Sequence, residues 1–514
     1  MIDGVANVVM NYARILGEMP DTKSLVGTPR YPDGHYDDYS YPVIPYDSIS
    51  TGPIASGYRA GSPMDLSEIA KMVAFRPDII HAHSPASATY VARSLRAVTG
   101  APIVYTYHTK YDIDIARAVK AEFMRKEAIK ALVANIESCN EVWAVSAGAA
   151  DNLRSLGFSG DITIMENGVD FPRGRAIPEA VAAATAGYDL PENVPLFLFV
   201  GRLMNYKGLP LIIDALSQLT AAGMDFRMVF VGAGDDKHKL IAQAEKAGLA
   251  VYDAEKETDA VPHAKIIFTG PIRDREVLRA WNTRADIFLF PSTFDTNGLV
   301  VREAAACGLA SVLIEGSCAA EGVTDGRSGF LIEENADALA AKLIDLFGGA
   351  PCPHHDLCRE VGRHAMDELY ISWEQSVAKA RERYAVLLEK KAAGMLPEPK
   401  KDTSDLLVGL TGQFAEGIRE ANERRSRFSQ KTRFFYEGML DNAAELRSAA
   451  EISAKEMRES LARSALRSRQ ALEESVQRSR EEWEEAGIYV KESFAEVGDE
   501  ISAAIEEAIE KLKR

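Results

Sequence analysis

Asp295 and Glu303 stand eight positions apart in the window Asp295-Thr296-Asn297-Gly298-Leu299-Val300-Val301-Arg302-Glu303, on either side of a glycine turn that opens a helix. A turn feeding a helix start presents free backbone N–H groups, which suits a pyrophosphate. The two carboxylates can then accept hydrogen bonds from hydroxyls of the sugars on each side of it. The plain alternative is a turn with a solvated aspartate and a helix-starting glutamate. A second window, Gly201-Arg202-Leu203-Met204-Asn205-Tyr206-Lys207-Gly208, puts Arg and Lys five residues apart on a loop. Such a pair can clamp a diphosphate and neutralise charge growing on a leaving group; a basic loop is otherwise simply solvated. Other residues mimic metal sites. His81-Ala82-His83 has a ligand-like spacing, but alternate residues at a strand end also face one way for packing. Asp112-Ile113-Asp114 has an acidic-pair form, and Cys352-Pro353-His354-His355-Asp356-Leu357-Cys358 has zinc-compatible types with a gap outside the usual short spacings. No metal is expected at any of them.

The elements that must position these residues alternate strand with helix. Residues 78–83, 101–108 and 141–146 read as strands, with helices at Ser87–Val98 and Ile115–Ile136 between them. The pattern restarts at 195–201, an apolar run closed by Gly201, and continues through 226–232, 266–270, 287–290 and 311–314. Continuous apolar runs separated by helices predict parallel strands buried on both faces. The fold class expected is therefore α/β: two doubly wound units facing a cleft, with ligands at the carboxyl ends of the strands. The first unit is expected over residues 1–175 and the second over 190–350. Helices over 351–391 should pack back toward the first unit, followed by a Pro- and Lys-bearing linker at 392–404. Residues 405–514 contain no proline and repeat apolar positions at three- and four-residue steps, predicting a separate helical tail, with a weak coiled coil possible in it. At the start, Asp3-Gly4-Val5-Ala6 reads as a turn and Asn7 to Leu16 as a helix, with no strand before them. The first unit is therefore expected to lack its opening strand.

Composition narrows the function classes. The 514 residues carry a formal net charge of −17, which disfavours general nucleic-acid binding. No apolar run approaches the roughly 20 residues of a membrane-spanning helix, and the first residues have no leader-like pattern. Five scattered cysteines suit a reducing compartment, with the cytoplasm as the expected location.

Taken together, the windows resemble the retaining GT-B glycosyltransferases of family 4, whose usual form is Glu-x7-Glu followed by Ala and Gly. Here Asp295 replaces the first glutamate, which keeps the charge and shortens the reach. The resemblance spans Asp3 to about Lys391 and implies hexose transfer from a UDP-sugar donor without any required cofactor. It implies that Glu303 holds the nucleotide ribose, that Asp295 meets the donor sugar, and that Arg202 and Lys207 stabilise the departing diphosphate. Asn297, Gly298 and Leu299 would cradle phosphate, with Gly201 and Gly232 beneath it and Gly4 under it from the first unit. Ile272, after Gly270-Pro271, would meet the base, and His108, ending Tyr105-Thr106-Tyr107-His108, would reach the donor sugar across the cleft. Asn167-Gly168-Val169-Asp170 matches the turn before the interdomain linker.

The Asp-Thr-Asn-Gly-Leu form is closest in style to diacylglycerol glucosyltransferases, so a lipid acceptor is expected. Arg117, Lys120, Arg125, Lys126 and Lys130 fall on one predicted helix with Phe123, Met124 and Ile129, a pattern able to lie on an anionic membrane from the cytoplasmic side. A solvated helix of alternating charge is the competing reading. A second basic-aromatic stretch, Arg424 to Tyr436, touches membrane or packs in a helical pair. Two other functions stay open: a transferase acting on a soluble sugar, and a helical scaffold whose tail drives self-assembly around an inactive transferase part.

Overall fold

The computed structural model describes residues 4–51, 59–119, 121–256, 264–348, 355–400 and 405–437. Among them, seven parallel strands form one sheet in the second unit. Their order is Val251–Asp253, Ile266–Gly270, Arg227–Val231, Leu196–Val200, Ile287–Phe290, Ser311–Ile314 and Phe330–Ile332. All five residues of Leu196–Val200 and of Arg227–Val231 are buried, as strands covered on both faces must be. Their phenylalanines interlock: Phe199 stacks on Phe290, and Phe230 on Phe268. The chain leaves Leu196–Val200 toward one side of the sheet and returns to its other side at Ile287–Phe290. That reversal opens a crevice at the carboxyl ends of the two strands, where Gly201 and Asp295 follow.

The first unit has four parallel strands in the order Ile80–Ala82, Ile103–Tyr107, Glu141–Ala144 and Ile162–Ile164. Val26–Pro29 and Val43–Tyr46 form a separate parallel pair, and Ser48–Ser50 pairs with Arg59–Gly61 in a third sheet. These short strands carry no alternation long enough to be read from sequence. Two expectations for the first unit's helices need correction. The first helix spans Gly4–Glu18, so Gly4 to Ala6 are its opening turn rather than a loop. The basic helix expected over Ile115–Ile136 is two helices, Tyr111–Ala118 and Glu122–Glu137. Val119 (φ −116°, ψ 109°) and Ala121 (φ −78°, ψ 121°) adopt extended backbone between them, with no glycine or proline to announce the break.

Helix His355–Glu368 stays with the second unit, where Cys358 and Val361 join its core. Trp373–Ala392, started by a Ser372–Gln375 capping box, crosses to the first unit and packs Trp373, Val377 and Ala380 against Val8, Tyr12 and Ile15. The tail corrects the sequence reading most strongly. Asp405–Glu437 is one helix of 33 residues, and its first half is built into the first unit against Leu66–Ala74 and Ser87–Thr99. Arg93 Nη2 meets Asp405 Oδ1 at 2.6 Å, and Arg76 Nη2 meets Glu416 Oε1 at 2.7 Å. Ala415 is fully buried, and a Cβ on Gly412 would collide with the Ser94 carbonyl. Small residues that look like a weak seam are what let this helix come close. The rest of the expected coiled coil, from residue 438, lies outside the described residues.

Candidate active site

The loop after Leu196–Val200 begins at Gly201 and ends in a short turn, Asn205–Lys207. Gly232 lies beneath it with φ 144°, and a Cβ there would strike the Gly201 carbonyl, so the two loops pack backbone to backbone. Arg202 is exposed on this loop. Lys207 points inward: its Nζ lies 2.5 Å from Asp295 Oδ2, with its side chain 13% exposed. Burial opposes ionisation of Asp295, but the Lys207 ammonium and the backbone N–H groups of Thr296 and Gly298 hold its carboxyl below the usual range. Gly298 (φ 58°, ψ 42°) opens helix Leu299–Ala306 with no side-chain cap, which leaves the helix start facing the crevice. Five residues on, Glu303 takes Arg275 Nη2 at 2.5 Å. Burial raises the Glu303 carboxyl above its ordinary range, and Arg275 opposes that rise. Asp295 thus lies just ahead of the positive end of helix Leu299–Ala306 and Glu303 one turn further along it, each beside a cation. Ile272, in the loop after Ile266–Gly270, packs against the core of this unit.

Across the cleft, His108 follows strand Ile103–Tyr107. It is 7% exposed, and its Nε2 is 2.9 Å from His83 Nδ1. His81 instead bonds the Tyr384 hydroxyl and Thr106 Oγ1, at 2.6 and 2.7 Å. Burial pushes the His108 imidazole down to about 3; burial and then the His108 charge do the same to His81. These rings are neutral at any ordinary pH. Gly4 is the exposed first residue of its helix, with nothing within 4 Å of an added Cβ, so the close approach expected there is not made by protein atoms among the described residues. Asp112 accepts a 3.4 Å bond from Asn152, and Cys358 is buried in the core. Cys352 to His354 lie outside the described residues.

Sequence reasoning placed Asp170 only in the turn before the interdomain linker and missed most of the contacts that join the two units. Asp170 accepts from Asn7 (2.8 Å), Asn11 (3.0 Å) and the Trp373 indole (2.7 Å), and lies 3.5 Å from Arg275. Arg275 therefore links Glu303 to the interdomain turn. Thr296 is held twice: its hydroxyl donates to the His108 carbonyl at 2.7 Å, and its carbonyl accepts from Ser146 Oγ at 2.5 Å. The Glu321 carboxylate accepts the Ala147 and Gly148 N–H groups at 2.8 and 2.6 Å, at the start of helix Ala147–Ser155. Lys110 Nζ reaches the Thr293 carbonyl at 3.4 Å, beside a cavity of about 400 Å³ lined also by Ser317, Glu333 and Glu334. The faces of the cleft are in contact.

Residues 2–173 match the family described as Glycosyltransferase Family 4, and residues 183–363 match Glycosyl transferases group 1. The chain belongs to the family 4 glycosyltransferases. Among curated relatives, this glycosyltransferase is 29% identical to the sulfoquinovosyl transferase SQD2 of Arabidopsis thaliana, over 75% of this chain and 71% of that protein. It is 23% identical to a D-inositol 3-phosphate glycosyltransferase of Arthrobacter, over 61% and 72%. Solved structures share its fold: Anabaena HepE in complex with UDP and glucose (TM-score 0.55, 18% identity, 75% of this chain and 97% of that one) and the sucrose-phosphate synthase of Thermosynechococcus elongatus (0.56, 18%, 75% and 94%). The glycosyltransferase thus has the GT-B architecture, two Rossmann-like units across a cleft.

Proposed function

We propose that the enzyme transfers a hexose, glucose first among candidates, from a UDP-sugar to a hydroxyl of a membrane lipid such as diacylglycerol, with retention at the anomeric carbon. The observation that carries the donor half is the pairing of Lys207 with Asp295 just ahead of helix Leu299–Ala306 and of Arg275 with Glu303 one turn into it. In this reading the diphosphate lies between Arg202, Lys207 and the helix amides, which neutralise the charge that grows as UDP leaves. Glu303 accepts from the ribose hydroxyls, Asp295 from the hexose, and neutral His108 offers an N–H from across the cleft. The anomeric C–O bond to phosphate breaks, the acceptor oxygen bonds to the same face, and its proton passes to the departing phosphate. No metal or prosthetic group is needed for these steps.

Three features support a lipid acceptor. The Asp-Thr-Asn-Gly-Leu form resembles diacylglycerol glucosyltransferases. Phe123 and Met124 are 74% and 60% exposed at the start of helix Glu122–Glu137. Arg125, Lys126 and Lys130 follow on that helix. Lys126 and Lys130 pair with Glu122 and Glu127, but solvent-exposed pairs of this kind hold weakly and yield readily to lipid phosphates. The side chains of Arg117 and Lys120 lie outside the described residues. No helix among the described residues is long and apolar enough to cross a membrane, so contact would be peripheral. A soluble acceptor is the second reading, favoured by the similarity to an inositol-phosphate glycosyltransferase. The test is transfer of labelled glucose from UDP-glucose to diacylglycerol in anionic vesicles, beside a panel of soluble sugars. Label in lipid supports the first reading, and label only in soluble product replaces it with the second. No turnover of any UDP-hexose refutes both.

A further inference from the structure

Asn297 is 6% exposed, and neither its amide nitrogen nor its amide oxygen has a hydrogen-bond partner. Since both atoms are bare, turning the amide over cures nothing. The residue sits in the segment on which the two units meet. Thr296, just before it, is tied to the first unit through both its hydroxyl and its carbonyl. Gly298, just after it, is pressed against Ala319, and the nearby Glu321 caps helix Ala147–Ser155. In this arrangement, with the faces of the cleft in contact, Asn297 is shut away from water and has no protein partner. A buried polar pair left unmade is among the larger penalties a single side chain can impose.

We infer that Asn297 couples occupancy by the donor sugar to cleft closure. In the open form water satisfies the amide; in the closed form a hexose hydroxyl, which can both donate and accept, does so. Asp295, two residues away, faces the same sugar. Closure without sugar is penalised at Asn297, so the open form dominates until a sugar nucleotide is bound, and the sugar then supplies the difference between the two forms. A UDP phosphate oxygen can accept from the amide nitrogen but has no proton to donate to the amide oxygen, so UDP alone leaves the pair half unmade. This rests on the donor reading above and deepens it: Asn297 distinguishes a nucleotide that carries a hexose from one that does not.

The test uses the full chain, with the radius of gyration by small-angle scattering and affinities for UDP and UDP-glucose by calorimetry. Wild-type protein should compact with UDP-glucose and not with UDP. Asn297→Leu, of the same branching and with no polar side-chain atoms, should be compact without nucleotide. It should bind UDP about tenfold more tightly than wild type, because a larger fraction is already closed. Its preference for UDP-glucose over UDP should shrink. A purely structural role would not tighten UDP. If Asn297→Leu still needs UDP-glucose to compact, or its UDP affinity is unchanged, the coupling is wrong. Should that variant fail to fold, Thr296→Val, which loses the tie to His108, carries the test. It should weaken UDP-glucose and spare UDP; equal weakening of both overturns the inference. If wild-type protein binds neither nucleotide, the donor reading itself falls, and this inference with it.

Discussion

Replacing Lys207 with methionine keeps the aliphatic stem near Tyr206 and Phe290 and removes the ammonium 2.5 Å from Asp295 Oδ2. Two consequences follow from the geometry. A unit charge facing another at about 4 Å, at the effective dielectric of a partly buried site, is worth about 4 kcal/mol. Loss of one preorganised charge stabiliser commonly costs about 2.7–4 kcal/mol of transition-state binding. Transfer from UDP-glucose should therefore fall about 10²- to 10³-fold in kcat/KM. The second consequence concerns Asp295, whose carboxyl is held down chiefly by Lys207 against the opposing effect of burial. Without the ammonium its pKa rises, and the acid limb of the pH–rate profile moves to higher pH. Lys207→Arg, which keeps the charge, should leave that limb nearer its original place. Initial rates from pH 3 to 8, a range that reaches the low-lying wild-type carboxyl, for wild type and both variants make the assay, with thermal melts to establish folding. A loss smaller than about tenfold in the methionine variant, or an unmoved acid limb, would refute the placement of Lys207 against the leaving group.

Three other perturbations test separate parts of the structure. His81 and His108 stay neutral in the folded chain down to about pH 3, whereas unfolded histidines protonate near 6.5. The unfolded state thus binds more protons in that window, and stability, complete above about 6.5, should fall by about 1.4 kcal/mol per pH unit for each ring. Urea midpoints between pH 7 and 4.5 measure this, and His81→Gln should flatten the slope. Asp405→Ala removes a carboxylate from fully buried Arg93. Because Asp405 is itself 34% exposed, the expected destabilisation is about 2 kcal/mol, below the ~3–5 of a wholly buried pair. A change under about 0.5 kcal/mol in urea unfolding would mean the tail helix is not an integral part of the first unit. Finally, Phe123→Ser with Met124→Ser removes two exposed apolar side chains, each worth about 1.5–3 kcal/mol on burial. Co-sedimentation with anionic vesicles should drop at least tenfold, and unchanged co-sedimentation would move the membrane contact elsewhere.

The parallel strands of the second unit were legible because each is a continuous apolar run. Ile266–Gly270, Ile287–Phe290 and Ser311–Ile314 begin and end where the sequence says. Val251–Asp253 and Phe330–Ile332 were not, since three residues are too few to show a period. Within the candidate site, Asp295, Gly298 and Glu303 could be grouped because one turn and one helix hold them at a spacing written along the chain. Arg275 and Asp170 could not: the chain separation from Arg275 to Glu303 is 28 residues, and from Asn7 to Asp170 it is 163. Their roles arise only where two units meet.

By itself, then, the sequence determined the longer buried strands and the alternation of strand with helix, the glycine turns and the local acidic and basic windows, because apolar period and backbone permissiveness act over a few residues. Folding alone decided which charges pair: Lys207 with Asp295, Arg275 with Glu303, Glu321 with a helix start in the other unit. It also decided where the tail goes. Gly412 and Ala415 suit a coiled coil and a domain surface equally well, and only the groove offered by Leu66–Ala74 and Ser87–Thr99 selects between them. Short-range physics is written in the chain, whereas partners brought together by burial depend on the shape of everything between them.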